Sequence, residues 1–410
     1  MAVKRQGVTV RRDKPLVLIG FAEAMAAIES TWSLQEAGLR VAAFRRAGSR
    51  PALRHVRGVE IHEVPAPEVD GAATILAVRK LCGELGPAAV LPLDDGALWV
   101  CRGIDDAAVP IAGGSGAAVD CALDKSIQIQ AAAEAGLLVP PTQVIDDVSS
   151  MSSTGGEKFE FPVMVKPARA LYEVDGALQR PSGIVCADRE EFARAASKRW
   201  PGTLLVQPLI HGTGEGLFGH MGPDGVIGWS AHRRVRMVNP QGSASSACRS
   251  WPVDEDLIGP GERFLSAIGW RGLFMLEFLR DADGKPWFME LNGRTWGSMA
   301  LARRRGLQYP AWTVLSTLDP QFTPVPLPDP PDVLCRNLGL ELVHLAFVAR
   351  GPQSEAQTEW PRLRDAARDV FAFHRGDRLY NWNRSQPTVL AADLLETLRT
   401  YGRKMIRHRA

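Results

Sequence analysis

The chain has 410 residues, 45% of them hydrophobic, which is more than one ordinary core can use and enough for two or three packed units. Its 48 basic and 46 acidic residues leave a formal charge of +2, which gives no electrostatic case for nucleic acid or an anionic membrane as partner. The cysteines Cys82, Cys101, Cys121, Cys186, Cys248 and Cys335 stand far apart without a CxxC pair, the pattern of reduced thiols rather than of a disulfide frame or zinc site.

The basic start, MAVKRQGVTVRRDKP, is followed only by Leu16 to Phe21 before Glu23, too short for a signal-peptide core or a membrane span, so a cytoplasmic protein without membrane insertion is expected. LVLIGF at Leu16 to Phe21 is a buried-strand pattern; Ala22 to Ala37 reads as a helix ending at Gly38, and LRVAAF at Leu39 to Phe44 as the next strand. The βαβ pattern continues through Val59 to Val64, a helix from Ala72 to Leu85, a strand from Ala89 to Leu93 and a short strand near Val109 to Ala112. GFAEAM after Ile19 lacks the second and third glycines of a dinucleotide turn, and GGSG at Gly113 to Gly116 lacks the lysine of a P-loop and reads as a linker.

A helix is expected from Leu123 to Ala135. After Pro140 and Pro141 the pattern becomes strand-rich: Thr142 to Ile145, Pro162 to Lys166, Leu204 to Pro208, Leu217 to Met221, Val226 to His232, Leu273 to Leu279 and Trp287 to Asn292. From Thr323 the run TPVPLPDPPD marks a break, beyond which Val333 to Ala349 and Ala391 to Ile406 look helical. The aromatic residues Trp360, Phe371, Phe373, Tyr380 and Trp382 argue for a folded C-terminal segment, and its basic end for a solvated helix.

The sharpest local signal is LFMLEFLRDADGKPWFMELNGR, two apolar runs flanking Asp283 and Gly284, a dipeptide suited to a two-residue hairpin turn. Counting outward from that turn sets Glu277 opposite Glu290, with Asn292 on the same face. Like charges so placed repel, and two carboxylates with a side-chain carbonyl on an apolar face are the hard oxygen ligands that Mg²⁺ takes. An exposed polar face on which one glutamate pairs with an arginine is the competing reading. Lys166 ends the apolar strand FPVMVKPA, either snorkelling to water or reaching an anion, and Lys125 opens a helix, where a cation opposes the dipole and a phosphate is a natural partner.

Taken together, LDKSIQIQAAAEAGLLVPPT, FPVMVKP, LLVQPLIHGTGEG, AHRRVRMVNPQGS and FMLEF followed by FMELNGRTWGS resemble the ATP-grasp superfamily in order and spacing, and look like its carboxylate-amine ligase branch. The likeness covers about Cys121 to Ser316. It implies an α/β protein with a Rossmann-like pre-ATP-grasp domain over 1–120, a two-part ATP-grasp domain over 121–322 whose small mobile subdomain spans about 144–205, and a partly helical extension over 323–410.

By the same resemblance ATP and Mg²⁺ are the cofactors. Lys125 and Lys166 would contact the α- and β-phosphates; Gln207, Pro208, Leu209 and Ile210 would read the adenine edge through backbone; Glu215 would accept the ribose hydroxyls. Glu277, Glu290 and Asn292 would hold magnesium, and Arg294 and Arg234 would be the catalytic arginines, with Arg233 and Arg236 competing for the second place. The implied reaction turns a carboxylate into an acyl phosphate and joins it to an amine; a phosphotransferase, a carboxylate-thiol ligase or a nucleotide-binding pseudoenzyme are the alternatives. Partners are small-molecule carboxylates and amines, with a homodimer left open. His211, His220 and His232 read as structural or supporting. Three departures stand out: the loop Ala168 to Gly183 lacks the family's glycine cluster and reads as irregular, Gln207 stands where glutamate is common, and Gly293 replaces a proline, leaving Arg294 less rigidly held.

Overall fold

The computed structural model describes residues 14–104, 109–146, 159–242, 244–352, 356 and 360–407, with side chains to 402. The basic N-terminal segment before Lys14, part of the segment after Ile145 and the side chains of the basic C-terminal end lie outside the described residues. The first unit is a parallel sheet in the order β3-β2-β1-β4, from β1 (Leu16–Gly20), β2 (Arg40–Arg46), β3 (Val59–Val64) and β4 (Ala89–Pro92). Helices Ala27–Glu36 and Gly71–Leu85 make the crossovers. The first helix starts later than its apolar pattern suggests, because Phe21 to Ala26 form turns and the Ala22 amide donates to the Phe44 carbonyl. Ile111 makes only a single bridge to Val90, so the expected fifth strand is absent.

The expected helix over Leu123 to Ala135 is two helices, Gly116–Leu123 and Lys125–Glu134, broken at Asp124. Asp124 has extended backbone and its carboxylate accepts from the Ser126 amide at 2.9 Å, a cap that starts a new helix and makes Lys125 its first residue. The Gly113 to Gly116 stretch is not a loose linker: a Cβ on Gly114 would lie 2.3 Å from the Trp270 ring.

A small antiparallel sheet, β5-β10-β6-β9, follows: β5 (Gln143–Ile145), β6 (Val163–Pro167), β9 (Ile184–Cys186) and β10 (Leu204–Pro208). It has a core of its own, in which Val163, Val165, Cys186, Leu204 and Val206 pack on Phe192 of the helix Arg189–Ala196. Between β6 and β9 the expected irregular loop is a hairpin, β7 (Tyr172–Val174) and β8 (Ala177–Gln179). Asp175 and Gly176 form its turn with φ of 52° and 78°, the positive values that an Asp-Gly hairpin turn requires.

The large sheet runs β15-β14-β11-β12-β13-β16-β17: β11 (Thr213–Gly222), β12 (Gly225–Met237), β13 (Ser245–Trp251), β14 (Gly272–Arg280), β15 (Pro286–Asn292), β16 (Leu334–Arg336) and β17 (Asp377–Leu379). Its last two strands come from beyond the proline-rich break, so the C-terminal segment is built into the sheet rather than appended to it. Arg336, buried in this region, pairs with Glu341 at 2.7 Å and Asp377 at 3.2 Å. Val17, Trp32, Phe218, Trp296, Tyr309 and Val389 share one core, which joins the first unit, the large sheet and the helix Pro387–Arg407. All six cysteines are free and buried, and among the described residues no helix is long and apolar enough to cross a membrane.

Candidate active site

The β14–β15 hairpin sets Glu277 opposite Glu290 and Met275 opposite Asn292. Its turn is not the expected two-residue one. The Gly284 amide donates to the Asp281 carbonyl at 3.1 Å and Gly284 has φ of 82°, the type I turn plus left-handed glycine of a three-residue loop. That choice shifts Pro286 to face Arg280, and a bulge at Met289 takes up the extra residue before Glu290. Two one-residue departures cancel, leaving the two glutamates paired.

The surrounding cations come from three elements. Lys125 Nζ lies 3.0 Å from Glu290, and Arg234 on β12 lies 2.7 Å from Glu277. Burial alone would raise the Glu290 carboxyl, but the Lys125 ammonium beside it holds it below the usual carboxylate range. The Lys125 ammonium is raised, chiefly by Glu290. Lys166 on β6 is pushed down to about 8 by burial and by the neighbouring charge of Lys125, only partly offset by Glu290 and Glu277. Both features anticipated in the hairpin are present: two carboxylates facing each other, and an arginine pairing with one of them.

Arg294 donates to Asp95 at 2.9 Å and to the Thr295 carbonyl at 3.0 Å. The departure at Gly293 therefore does not leave it loose. A Cβ at Gly293 would sit 2.3 Å from Trp270 and 2.9 Å from Ala122, so the position admits only glycine, and Asp95 supplies the restraint. Burial would raise the Asp95 carboxyl, but Arg294 and Arg180 hold it well below the usual range. Arg180 reaches Asp95 from the end of the β7–β8 hairpin, which docks on the first unit: Gly71 N–H donates to the Gly176 carbonyl at 2.8 Å, Leu178 N–H donates to the Pro67 carbonyl at 2.7 Å, and Leu178 is buried. Asp95 and Arg180 were not singled out from sequence. The available signals were the acidic pair Asp94–Asp95 just past the carboxyl end of β4, where open α/β sheets place ligands, and the second Asp-Gly hairpin signature at Asp175–Gly176.

One cavity of about 500 Å³ is lined by Leu209, Ile210, Arg234, Glu277, Glu290 and Asn292 among others, and also by Arg294. Gln207 is buried and donates to Thr142 Oγ1 at 2.7 Å; the Leu209 amide is committed to the Pro162 carbonyl at 3.0 Å, and Pro208 is exposed. Glu215 is not brought to this cavity. It lies on the opposite face of β11, where Arg233 donates to one carboxylate oxygen at 2.6 Å and Arg280 to the other at 2.8 Å. The ribose assignment thus fails on strand alternation, since the glycines Gly214 and Gly216 face Arg234 and Met275. Arg233 faces Glu215 and Arg236 pairs with Glu341 at 3.4 Å, which leaves Arg234 as the arginine of that trio at the cleft. His220 is a satisfied core histidine, bonded to Thr313 and Ser316 and pushed down to about 4 by burial.

With this geometry established, comparison with solved structures gives many related folds. The chain is similar to an L-amino acid ligase from Bacillus licheniformis (19% identity, TM-score 0.58, covering 76% of this chain and 75% of that one). It is also similar to N5-carboxyaminoimidazole synthetase from Staphylococcus aureus complexed with ADP (13%, 0.60, 78% and 81%) and to biotin carboxylase from Campylobacter jejuni (16%, 0.59, 76% and 72%). No family model and no curated protein matches the sequence. At these identities the likeness is one of fold: the chain has the ATP-grasp fold, with a parallel α/β unit ahead of a small antiparallel sheet and a large one.

Proposed function

We propose that the chain is an ATP- and Mg²⁺-dependent ligase that transfers the γ-phosphoryl group of ATP to a substrate carboxylate and joins the resulting acyl phosphate to an amine. The observation that carries this is the facing pair Glu277 and Glu290 with Lys125, Lys166 and Arg234 directed at it and Arg294 beside it at one cavity. Among the described residues no group of three or more His, Cys, Asp and Glu side chains is placed to hold a metal ion. The donor set is instead two carboxylates and the Asn292 amide, whose nitrogen has no protein partner. Such oxygen donors fit Mg²⁺, which keeps open positions for phosphate and water. Glu277, Glu290 and Asn292 would hold it, and when bound it neutralises charge along the phosphates.

The chain's own residues supply the rest. Lys125 and Lys166 approach from different elements and balance the phosphate charge, while Arg234 and Arg294 serve the oxygens that gain charge during transfer. Leu209 and Ile210, which also line the cavity, supply backbone and apolar surface for the base. The small sheet and its docked hairpin cover the cleft and exclude water from an acyl phosphate. The test is ADP release from the purified protein with ATP, Mg²⁺ and a panel of carboxylates and amines. Phosphate release that needs both substrates, and hydroxamate formation when hydroxylamine replaces the amine, support the reading. Nucleotide binding with no turnover across the panel refutes it.

A further inference from the structure

A second hollow adjoins the cavity described above. It is a groove of about 710 Å³ bordered by β12, β13, β16 and the helix Leu363–Phe371, and Gly212, Arg234, Met237 and Pro240 line both spaces. A strictly alternating strand would turn successive side chains to opposite faces. β12 instead shifts register twice, between Arg234 and Arg236 and between Arg236 and Met237, and all four residues from 234 to 237 border the groove. Gly214 makes room for the first of them: a Cβ there would lie 2.5 Å from the Arg234 side chain. Sites for one small ligand span about 300–1,000 Å³, so a cavity of about 500 Å³ that must take ATP leaves little space for two further substrates.

The groove is cationic, lined by five arginines against two aspartates. Three of the arginines are matched: Arg234 to Glu277 at 2.7 Å, Arg236 to Glu341 at 3.4 Å, and Arg336 to Glu341 at 2.7 Å and Asp377 at 3.2 Å. The aspartates, Asp365 and Asp369, have Arg368 at 3.9 and 3.6 Å. The other two arginines, Arg249 and Arg362, have no acidic partner among the described residues, and both are exposed, so a ligand can reach their guanidinium groups. Opposite Arg249 stand Arg233 on β12 and Leu334 on β16, so its strand neighbours bring no counter-charge. Two uncompensated guanidinium groups match the charge of a phosphate monoester, about −1.5 to −2 at pH 7, better than the single charge of a carboxylate, and their planar forks suit its oxygens.

We propose that this groove is the subsite for the amine substrate and that the amine carries a phosphate monoester, which Arg249 and Arg362 hold while the amino group lies toward Arg234 and Glu277. The proposal rests on the ligase reading, and the experiment separates the two. Full-length protein is saturated with Mg²⁺ and a non-hydrolysable ATP analogue, which fills the nucleotide's own phosphate contacts. It is then titrated calorimetrically with O-phosphoethanolamine, ethanolamine, β-alanine and inorganic phosphate. O-Phosphoethanolamine binds at least ~10-fold more tightly than each of the others, and Arg249→Gln and Arg362→Gln each weaken it ~10-fold or more, the worth of one charge-assisted hydrogen bond. Arg249→Lys recovers only part of the loss, since an ammonium cannot present two parallel N–H groups. Both arginines are exposed, so these substitutions leave the fold intact, and the nucleotide affinity of each variant checks the cleft. O-Phosphoethanolamine that fails to bind, that binds unchanged in both glutamine variants, or that β-alanine matches in affinity overturns the subsite while nucleotide binding stands. Inorganic phosphate bound as tightly as O-phosphoethanolamine overturns the assignment to the amine substrate. Failure of the unsubstituted protein to bind the analogue with Mg²⁺ overturns the ligase reading and the subsite with it.

Discussion

Replacing Lys166 with methionine should stabilise the free protein and weaken its hold on nucleotide, two effects of opposite sign from one lost charge. Lys166 is depressed from 10.5 to about 8 by burial and by Lys125. At 1.36 kcal/mol per pKa unit the folded state carries a charged Lys166 at a cost of ~3 kcal/mol, an upper figure because the residue is not fully buried. Below pH 8 that cost is present in full. As pH rises toward 10.5 the folded protein releases the proton while the unfolded chain still holds it, so the cost fades. Lys166→Met, similar in length and uncharged, should therefore raise the unfolding free energy by ~2 kcal/mol at pH 7 and by little at pH 10. The same ammonium is worth ~1.5–3 kcal/mol to a phosphate oxygen, so affinity for a non-hydrolysable ATP analogue should fall ~10- to 100-fold. In the unsubstituted protein that affinity should decline as pH rises through about 8, and in the variant it should lose this step. Urea unfolding at both pH values and calorimetric titration across the range read all of this. A variant that is less stable, binds the analogue unchanged and keeps the wild-type pH profile would show that Lys166 merely snorkels to water.

Glu290→Gln should lower turnover by at least ~100-fold with little change in fold, since charge is lost at the metal and phosphate site without loss of volume; near-normal rates at limiting Mg²⁺ would refute the assignment. Asp95→Asn leaves Arg294 and Arg180 without their shared carboxylate and should cost ~3 kcal/mol in denaturant unfolding, the penalty of uncompensated buried charge; a loss below ~0.5 kcal/mol, the range of a neutral surface change, would deny it that role. Leu178→Ala should undock the β7–β8 hairpin, seen as faster amide exchange at Leu178 and Gly71, whose N–H groups bond across that contact. Across the small sheet, exchange should slow when Mg²⁺ and the ATP analogue are added, while Glu277 to Asn292 change little; identical protection with and without nucleotide would remove the mobile-lid reading.

Local rules read well where chemistry and pattern agree. The parallel unit, the strands β5, β6, β10, β11, β12, β14 and β15 and the Glu277–Glu290 pairing follow from periodicity and from one Asp-Gly turn, whereas β9 and β13 were not marked. The pairing held because two errors cancelled: a three-residue loop replaced the expected two, and the bulge at Met289 restored the register, neither being encoded in alternation alone. Glu215 illustrates the converse. Its place in a motif suggested a ligand role, yet alternation along β11 turns it to the far face against Arg233 and Arg280. The strands β16 and β17 are three residues each and lie beyond a proline-rich break, so nothing local marks them as continuing a sheet begun over a hundred residues earlier. Asp95 and Arg180 were illegible for the same reason. Their meeting is fixed by docking between units, and sequence distance hides it.

That meeting connects the covering hairpin to the chemistry. Arg294 stands two residues past the end of β15 and four past Glu290, yet its guanidinium is held by a carboxylate from the first unit rather than by that strand. Arg180 reaches the same carboxylate from the end of the hairpin that lies against Pro67 and Gly71. With the hairpin away, Asp95 would face Arg294 alone; with it docked, one carboxylate serves two arginines and carries less than a full charge toward either. If the hairpin docks and undocks, docking would leave Arg294 with more of its positive charge uncompensated. An arginine so placed attracts a second anion more strongly in the covered state than in the open one. By linkage, an anion bound beside Arg294 must favour docking of the hairpin to the same degree. The glycine at position 293 fits this arrangement, since the restraint a proline would give through the backbone is supplied by Asp95 of the first unit.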